Sequence, residues 1–104
     1  MVGIDIVYLP EFKKRMEKFP VEKIFLPTEL SQNTRMESLA GIFAVKEAFF
    51  KAIGRKENWL EVWIEKEKSG RPVLHSTFVN ANQKVDISIS RAGDYAVAAV
   101  LIET

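Results

Sequence analysis

Apolar and polar positions alternate with a period of two at the start of the chain. Val2, Ile4, Ile6 and Tyr8 fall on one side of a strand, and Gly3, Asp5 and Val7 on the other. A carboxylate, Asp5, thus sits inside an otherwise apolar strand. The period then changes. Pro10 suits the first turn of a helix, and Phe12, Met16 and Phe19 recur on one face while Lys13, Lys14, Arg15 and Lys18 cover other positions, until Pro20 ends the pattern. A second short helix is expected to start around Pro27-Thr28-Glu29. Thr34-Arg35-Met36-Glu37 has the form of a capping box, in which the threonine hydroxyl and the glutamate carboxylate satisfy each other's orphan backbone donors. It predicts a long helix from about Arg35 to Ile53, closed by Gly54 in the left-handed conformation.

The second half returns to period two. Leu60, Val62 and Ile64 alternate with Trp59, Glu61, Trp63 and Glu65, and Ser69-Gly70 marks a turn before Arg71-Pro72 and another extended segment. Val85, Ile87 and Ile89 alternate with Asp86, Ser88 and Ser90, and Ala92-Gly93-Asp94 leads into the nearly all-apolar Tyr95 to Ile102. One strand, then helices, then a strand meander predicts an α+β fold. Its mainly antiparallel sheet packs with one long helix and one or two shorter ones.

Composition narrows the function. At 104 residues, 47% of them hydrophobic, the chain fits one domain over residues 1–104 with a modest core, and its stability is expected to lean on self-association. The 15 basic and 14 acidic residues nearly cancel, so the positive field of a nucleic-acid-binding protein is missing. No cysteine is present, which excludes disulfides, zinc-thiolate sites and thiol nucleophiles. No apolar run reaches membrane-spanning length, and the expectation is a soluble, cytoplasmic protein with no membrane partner.

On a helical wheel Leu39, Ile42, Phe43, Phe49, Phe50 and Ile53 form one bulky arc, and Ala40, Ala44, Glu47 and Lys51 another. The i,i+4 spacing puts Glu47 and Lys51 on one side, either as an ordinary exposed ion pair or as part of a site approached over small residues. Lys46 lies in the bulky arc, where its stem can run past apolar neighbours to solvent. Asp5 needs a partner: a lysine, a metal or solvent at the strand edge. If Asp5 and Glu47 converge, two hard oxygen ligands with vacant positions suit magnesium completed by diphosphate oxygens and water. Lys51, one turn beyond Glu47, would then reach a phosphate. His75, the only histidine, falls in a separate strand-like segment and is expected to have no catalytic role.

Four ordered motifs span nearly the whole chain. Gly3-Ile4-Asp5-Ile6-Val7 resembles the N-terminal strand of the acyl-carrier-protein synthase family of phosphopantetheinyl transferases, and the run from Ala40 to Gly54, with Lys46-Glu47-Ala48 at its centre, is similar to that family's signature helix. Gly70-Arg71-Pro72 resembles its glycine-lysine-proline turn, and Ile87-Ser88-Ile89-Ser90 with Tyr95-Ala96-Val97-Ala98 its closing strands. The resemblance implies Mg2+-dependent transfer of 4'-phosphopantetheine from coenzyme A to a serine of apo acyl carrier protein, releasing adenosine 3',5'-bisphosphate in service of fatty acid biosynthesis. It implies Asp5 and Glu47 as magnesium ligands and Glu47 and Lys51 as catalytic residues, with Glu47 taking the serine proton directly or through water. Lys51, Gly54, Arg71, Pro72 and Ser88 are implied as coenzyme A contacts. A homotrimer with active sites near subunit boundaries is also implied. Lys13, Lys14, Arg15, Lys18 and Lys23 are candidates to complement an acidic carrier protein, although Glu11, Glu17 and Glu22 lie among them. The chain departs from the family pattern at Glu11, Ile42, Asp86 and Arg91. Two alternatives therefore stand beside the enzyme: a non-catalytic member that binds coenzyme A or a carrier protein, and an oligomerisation module in which Asp5, Glu47 and Lys51 are ordinary ion-pair residues.

Overall fold

The computed structural model describes residues 1–104, in which the apolar periods become five strands and three helices. The chain runs β1 (Val2–Tyr8), α1 (Leu9–Lys18), a 3-10 turn at Val21–Lys23, α2 (Pro27–Gln32) and α3 (Met36–Ile53). A second 3-10 turn at Trp59–Glu61 leads to β2 (Val62–Lys66), β3 (Pro72–Ser76), β4 (Lys84–Ala92) and β5 (Tyr95–Glu103). All pairing is antiparallel, but it makes two sheets where one was expected: β1-β5-β4 and the separate ribbon β2-β3. The strand expected from Trp59 starts only at Val62, because the Asn58 side chain accepts the Leu60 N–H at 3.0 Å and curls Trp59–Glu61 into the turn.

Helix α3 is the centre of the molecule. Nearly every residue from Leu39 to Ala52 is buried, against the three-stranded sheet on one side and α1 and β2 on the other. Its C-terminus follows the sequence, with Gly54 at φ 77° and its N–H returning to Phe50 O. The start does not follow. Arg35 is the N-cap without a side-chain bond, so Thr34 lies one position too early to cap and Glu37 one too early to answer it. The Glu37 carboxylate bonds its own backbone N–H and then Arg35, which hold its pKa below the usual range.

The reciprocal bond appears instead on α2, where the Leu26 N–H donates to Glu29 Oε1 at 2.9 Å. Glu29 is fully buried. Its Oε1 also accepts Lys46 Nζ at 2.7 Å, and its Oε2 accepts the Ile64 N–H at 2.9 Å. Lys46 therefore does not run out to solvent: it is 0% exposed and donates to Ile24 O and Trp59 O as well. Burial pulls the Lys46 pKa below that of an ordinary lysine, against the raising effect of Glu29. With all its donors used, this pair ties α2, α3, β2 and both 3-10 turns together.

The face of β1 that packs inward is also the reverse of what its apolar residues suggest. Gly3 and Val7 are buried, whereas Val2, Ile4, Ile6 and Tyr8 are exposed. Their cross-strand partners on β5 are Leu101, Ala99, Val97 and Tyr95, so the outer face of the sheet is an apolar surface. The Tyr8 and Tyr95 rings meet on it at a tilt of 34°, with centroids 5.2 Å apart.

Candidate active site

Gly3 decides where the inner face of β1 sits. A Cβ at this position would lie 1.8 Å from Ala48 O and 2.8 Å from Ala52 N, so only glycine lets the strand press directly on the backbone of α3. Two residues further on, Asp5 reaches the same helix. Lys51 Nζ donates to Asp5 Oδ1 at 2.9 Å and to Ile4 O at 3.1 Å. Glu47 does not pair with Lys51 as the i,i+4 spacing predicts. It accepts instead from Lys56 Nζ at 3.0 Å, because Gly54 turns the chain back and carries Lys56 alongside the helix. The close approach of β1 gives Lys51 a partner better placed than Glu47.

Asp5 and Glu47 line one cleft of about 510 Å³, together with Tyr8, Glu11, Arg15, Phe43 and Lys56. The expected convergence of the two carboxylates onto one space is therefore present, with Asp5 and Glu47 13% and 20% exposed. Nowhere does a group of three or more histidines and carboxylates form that could hold a metal ion by itself. Two hard oxygen donors at an open cleft nevertheless fit Mg2+, which retains waters and shares phosphate oxygens with its substrate. Lys51 lies beside this cleft, bonded to Asp5; Lys56, which sequence reasoning passed over, lines it. The only signal for Lys56 was its position two residues after the helix-terminating glycine.

A second cleft of about 390 Å³ opens at the opposite edge of the sheet, between α3 and β4. Pro72 and Ser88 line it with Ser38, Ile42, Lys66 and Arg91, and it shares no lining residue with the first. Within one chain, then, Pro72 and Ser88 are not brought to Asp5, Glu47 and Lys51. Arg71 is exposed, 3.7 Å from Asp86, and Gly54 is exposed beyond the end of α3. Lys13, Lys14, Arg15 and Lys18 stand on the exposed surface of α1, and Lys23 on the following 3-10 turn. Of the five, Arg15 alone lines the first cleft, with its guanidinium 5.5 Å from the Phe43 ring centre. His75 is exposed on β3 and stacks on Trp63, outside both clefts.

The chain as a whole has counterparts among known proteins. A model of the 4'-phosphopantetheinyl transferase superfamily matches residues 1–100. The chain belongs to that superfamily. A holo-[acyl-carrier-protein] synthase of Halalkalibacterium halodurans is 38% identical over 97% of this chain and 92% of its own length. That of Exiguobacterium sibiricum is 36% identical over 98% of this chain and 87% of its own. Among solved structures, the Helicobacter pylori holo-[acyl-carrier-protein] synthase in complex with coenzyme A superposes with a TM-score of 0.89 at 28% identity, covering 99% of this chain and 100% of that one. The Bacillus anthracis synthase, in complex with CoA (3',5'-ADP), gives 0.86 at 31% identity, with 99% and 95% covered. The chain is thus a phosphopantetheinyl transferase of the holo-[acyl-carrier-protein] synthase type. No helix is long and apolar enough to cross a membrane.

Proposed function

We propose that this enzyme moves the 4'-phosphopantetheine arm of coenzyme A onto a serine of apo acyl carrier protein, using Mg2+ held by Asp5 and Glu47 and releasing adenosine 3',5'-bisphosphate. The observation that carries the reading is the convergence of Asp5 and Glu47 on one cleft, beside the basic helix α1. The serine hydroxyl attacks the β-phosphorus of the diphosphate; the new bond joins serine oxygen to that phosphorus, and the bond to the adenosine-side phosphate breaks. When bound, magnesium supplies positive charge to the phosphate oxygens. Asp5 and Glu47 fix where that charge stands. Lys51 orients Asp5 and adds a cation next to the reacting phosphate. Glu47 takes the serine proton, directly or through one water.

The same reading assigns the exposed lysines of α1, with Arg15 and Lys23, to the acidic carrier, so that the carrier is held at the mouth of the cleft. It also makes residues 1–104 one domain, in keeping with a single core cluster, and the working unit a homotrimer. Two features support the assembly. The outer sheet face exposes Val2, Ile4, Ile6, Tyr8, Tyr95 and Leu101 to solvent in the isolated chain. Pro72 and Ser88 line a cleft remote from Asp5, so a coenzyme A bound by both sets needs two copies.

The test is mass spectrometry of an apo carrier protein incubated with the enzyme, coenzyme A and Mg2+. One phosphopantetheine should be added per carrier, and Asp5→Asn and Glu47→Gln should each remove most of the magnesium-dependent transfer from a folded protein. Near-normal turnover at limiting magnesium in either folded variant would dissolve the metal pair.

A further inference from the structure

Two of the cleft's carboxylates, Asp5 and Glu47, each have a lysine on one oxygen, and the two lysines are not held alike. Lys51 has a second anchor, the Ile4 carbonyl at 3.1 Å. Lys56 has none among oxygens: beyond Glu47 Oε1 at 3.0 Å, its ammonium has only the face of Trp59, 4.9 Å from the ring centre. It stands on the segment after Gly54, outside regular structure, and its side chain is 57% exposed. The cleft it lines gathers three carboxylates, Asp5, Glu11 and Glu47, with Arg15 and Lys56 as the lining cations.

We infer that Lys56 is an exchangeable counter-ion: it neutralises Glu47 in the metal-free enzyme and competes with a divalent cation for that carboxylate. This rests on the reading of Asp5 and Glu47 as the metal pair. Without a cation in the cleft, the carboxylates would repel one another; the Lys56 ammonium offsets that repulsion on a tether free enough to withdraw. When a divalent cation takes Glu47, the ammonium moves off the carboxylate while staying over the Trp59 ring, since an indole face holds a cation without needing a carboxylate. It then remains at the lip of the cleft as a positive charge left over for an anionic substrate. Lys51, doubly anchored, stays with Asp5.

Binding of Mn2+, without coenzyme A, separates the possibilities. The free ion is followed by electron paramagnetic resonance in the wild-type enzyme and in folded Lys56→Met, Lys56→Arg and Glu47→Gln variants. Lys56→Met should bind Mn2+ roughly two- to fivefold more tightly than wild type, the scale of a partly exposed ion pair, while Lys56→Arg, which restores the charge, should stay near wild type. Equal affinities of wild type and Lys56→Met, with binding still weakened in Glu47→Gln, would overturn the counter-ion and leave the metal pair standing. Unchanged binding in Glu47→Gln would overturn both.

Discussion

Replacing Gly3 with alanine adds one methyl group, yet it should damage both stability and catalysis. The new Cβ would fall 1.8 Å from Ala48 O, 2.8 Å from Ala52 N and 2.9 Å from the Ala48 carbonyl carbon. All three are backbone atoms of a buried helix, so none can swing aside. Contacts under 3.0 Å are essentially never made by real Cβ atoms, and strand and helix would have to part by roughly 1 Å or more, an overpacking that costs about 1–3 kcal/mol. For a chain of this size each kcal/mol lowers Tm by about 4–8 °C.

The catalytic loss should exceed the stability loss. Ala48 lies between Glu47 and Lys51 on α3, and Asp5 lies two residues beyond Gly3, so the separation opens at the contact that sets the two carboxylates and their lysine. A misplacement of about 1 Å in such a group can lower turnover roughly 10²-fold. Transfer to apo carrier is followed by mass spectrometry well below the variant's Tm, where almost all molecules are folded. Gly41→Ala is the control for stability. Its added Cβ meets only the Ile89 side chain, at 3.2 Å, and the gain in helix propensity of about 1 kcal/mol opposes that crowding. A Gly3→Ala protein with unchanged Tm and turnover within about threefold of wild type would show that the close approach of β1 to α3 does not set the site.

Lys51→Ala should lower turnover about 10²-fold in a folded protein, as loss of a preorganised cation does; unchanged transfer would return Lys51 to the role of a surface ion pair. Lys46→Met should be among the most damaging substitutions, about 3–5 kcal/mol by denaturant unfolding, because it strands Glu29 as a buried unpaired carboxylate; a loss below about 1 kcal/mol would refute that. The double variant Glu29→Gln/Lys46→Met should recover much of that loss and also serves as a pH reference. Burial holds the folded Lys46 pKa below 10.5, so between that lower value and 10.5 the unfolded chain binds more protons, and the group's contribution to stability rises with pH. Wild type should therefore gain on the double variant as pH climbs through the alkaline range, and a flat difference would mean that burial does not dominate this lysine.

What the sequence reveals and what it hides divide along a physical line. Strands β3, β4 and β5 and the end of α3 are legible because the Ser69-Gly70 turn, the period of two in β4, the Gly93 turn before the apolar run of β5, and Gly54 are local instructions, carried by residues that need only their neighbours. The convergence of Asp5 and Glu47 is legible through the family motifs, and its cause is Gly3, whose missing side chain is a local fact with a tertiary consequence. Charge partners are different. Glu47 and Lys51 are one turn apart and should pair if the helix stood in water, where such pairs are worth a few tenths of a kcal/mol. That preference is too weak to survive packing: the approach of β1 offers Lys51 a carboxylate and a carbonyl together, and the turn at Gly54 offers Glu47 another lysine. Glu29 shows the same rule at its extreme, since nothing near it in sequence marks it as the partner of a lysine 17 residues away. The inverted face of β1 has a further cause. Binary patterning assigns the apolar side of a strand to a core, but it cannot say whose core, and Val2, Ile4, Ile6 and Tyr8 lie on the face opposite this chain's own α3. In the proposed homotrimer that face would meet another copy of the chain, and both faces of β1 would then be specified, one by Gly3 and Val7 and the other by its larger apolar residues.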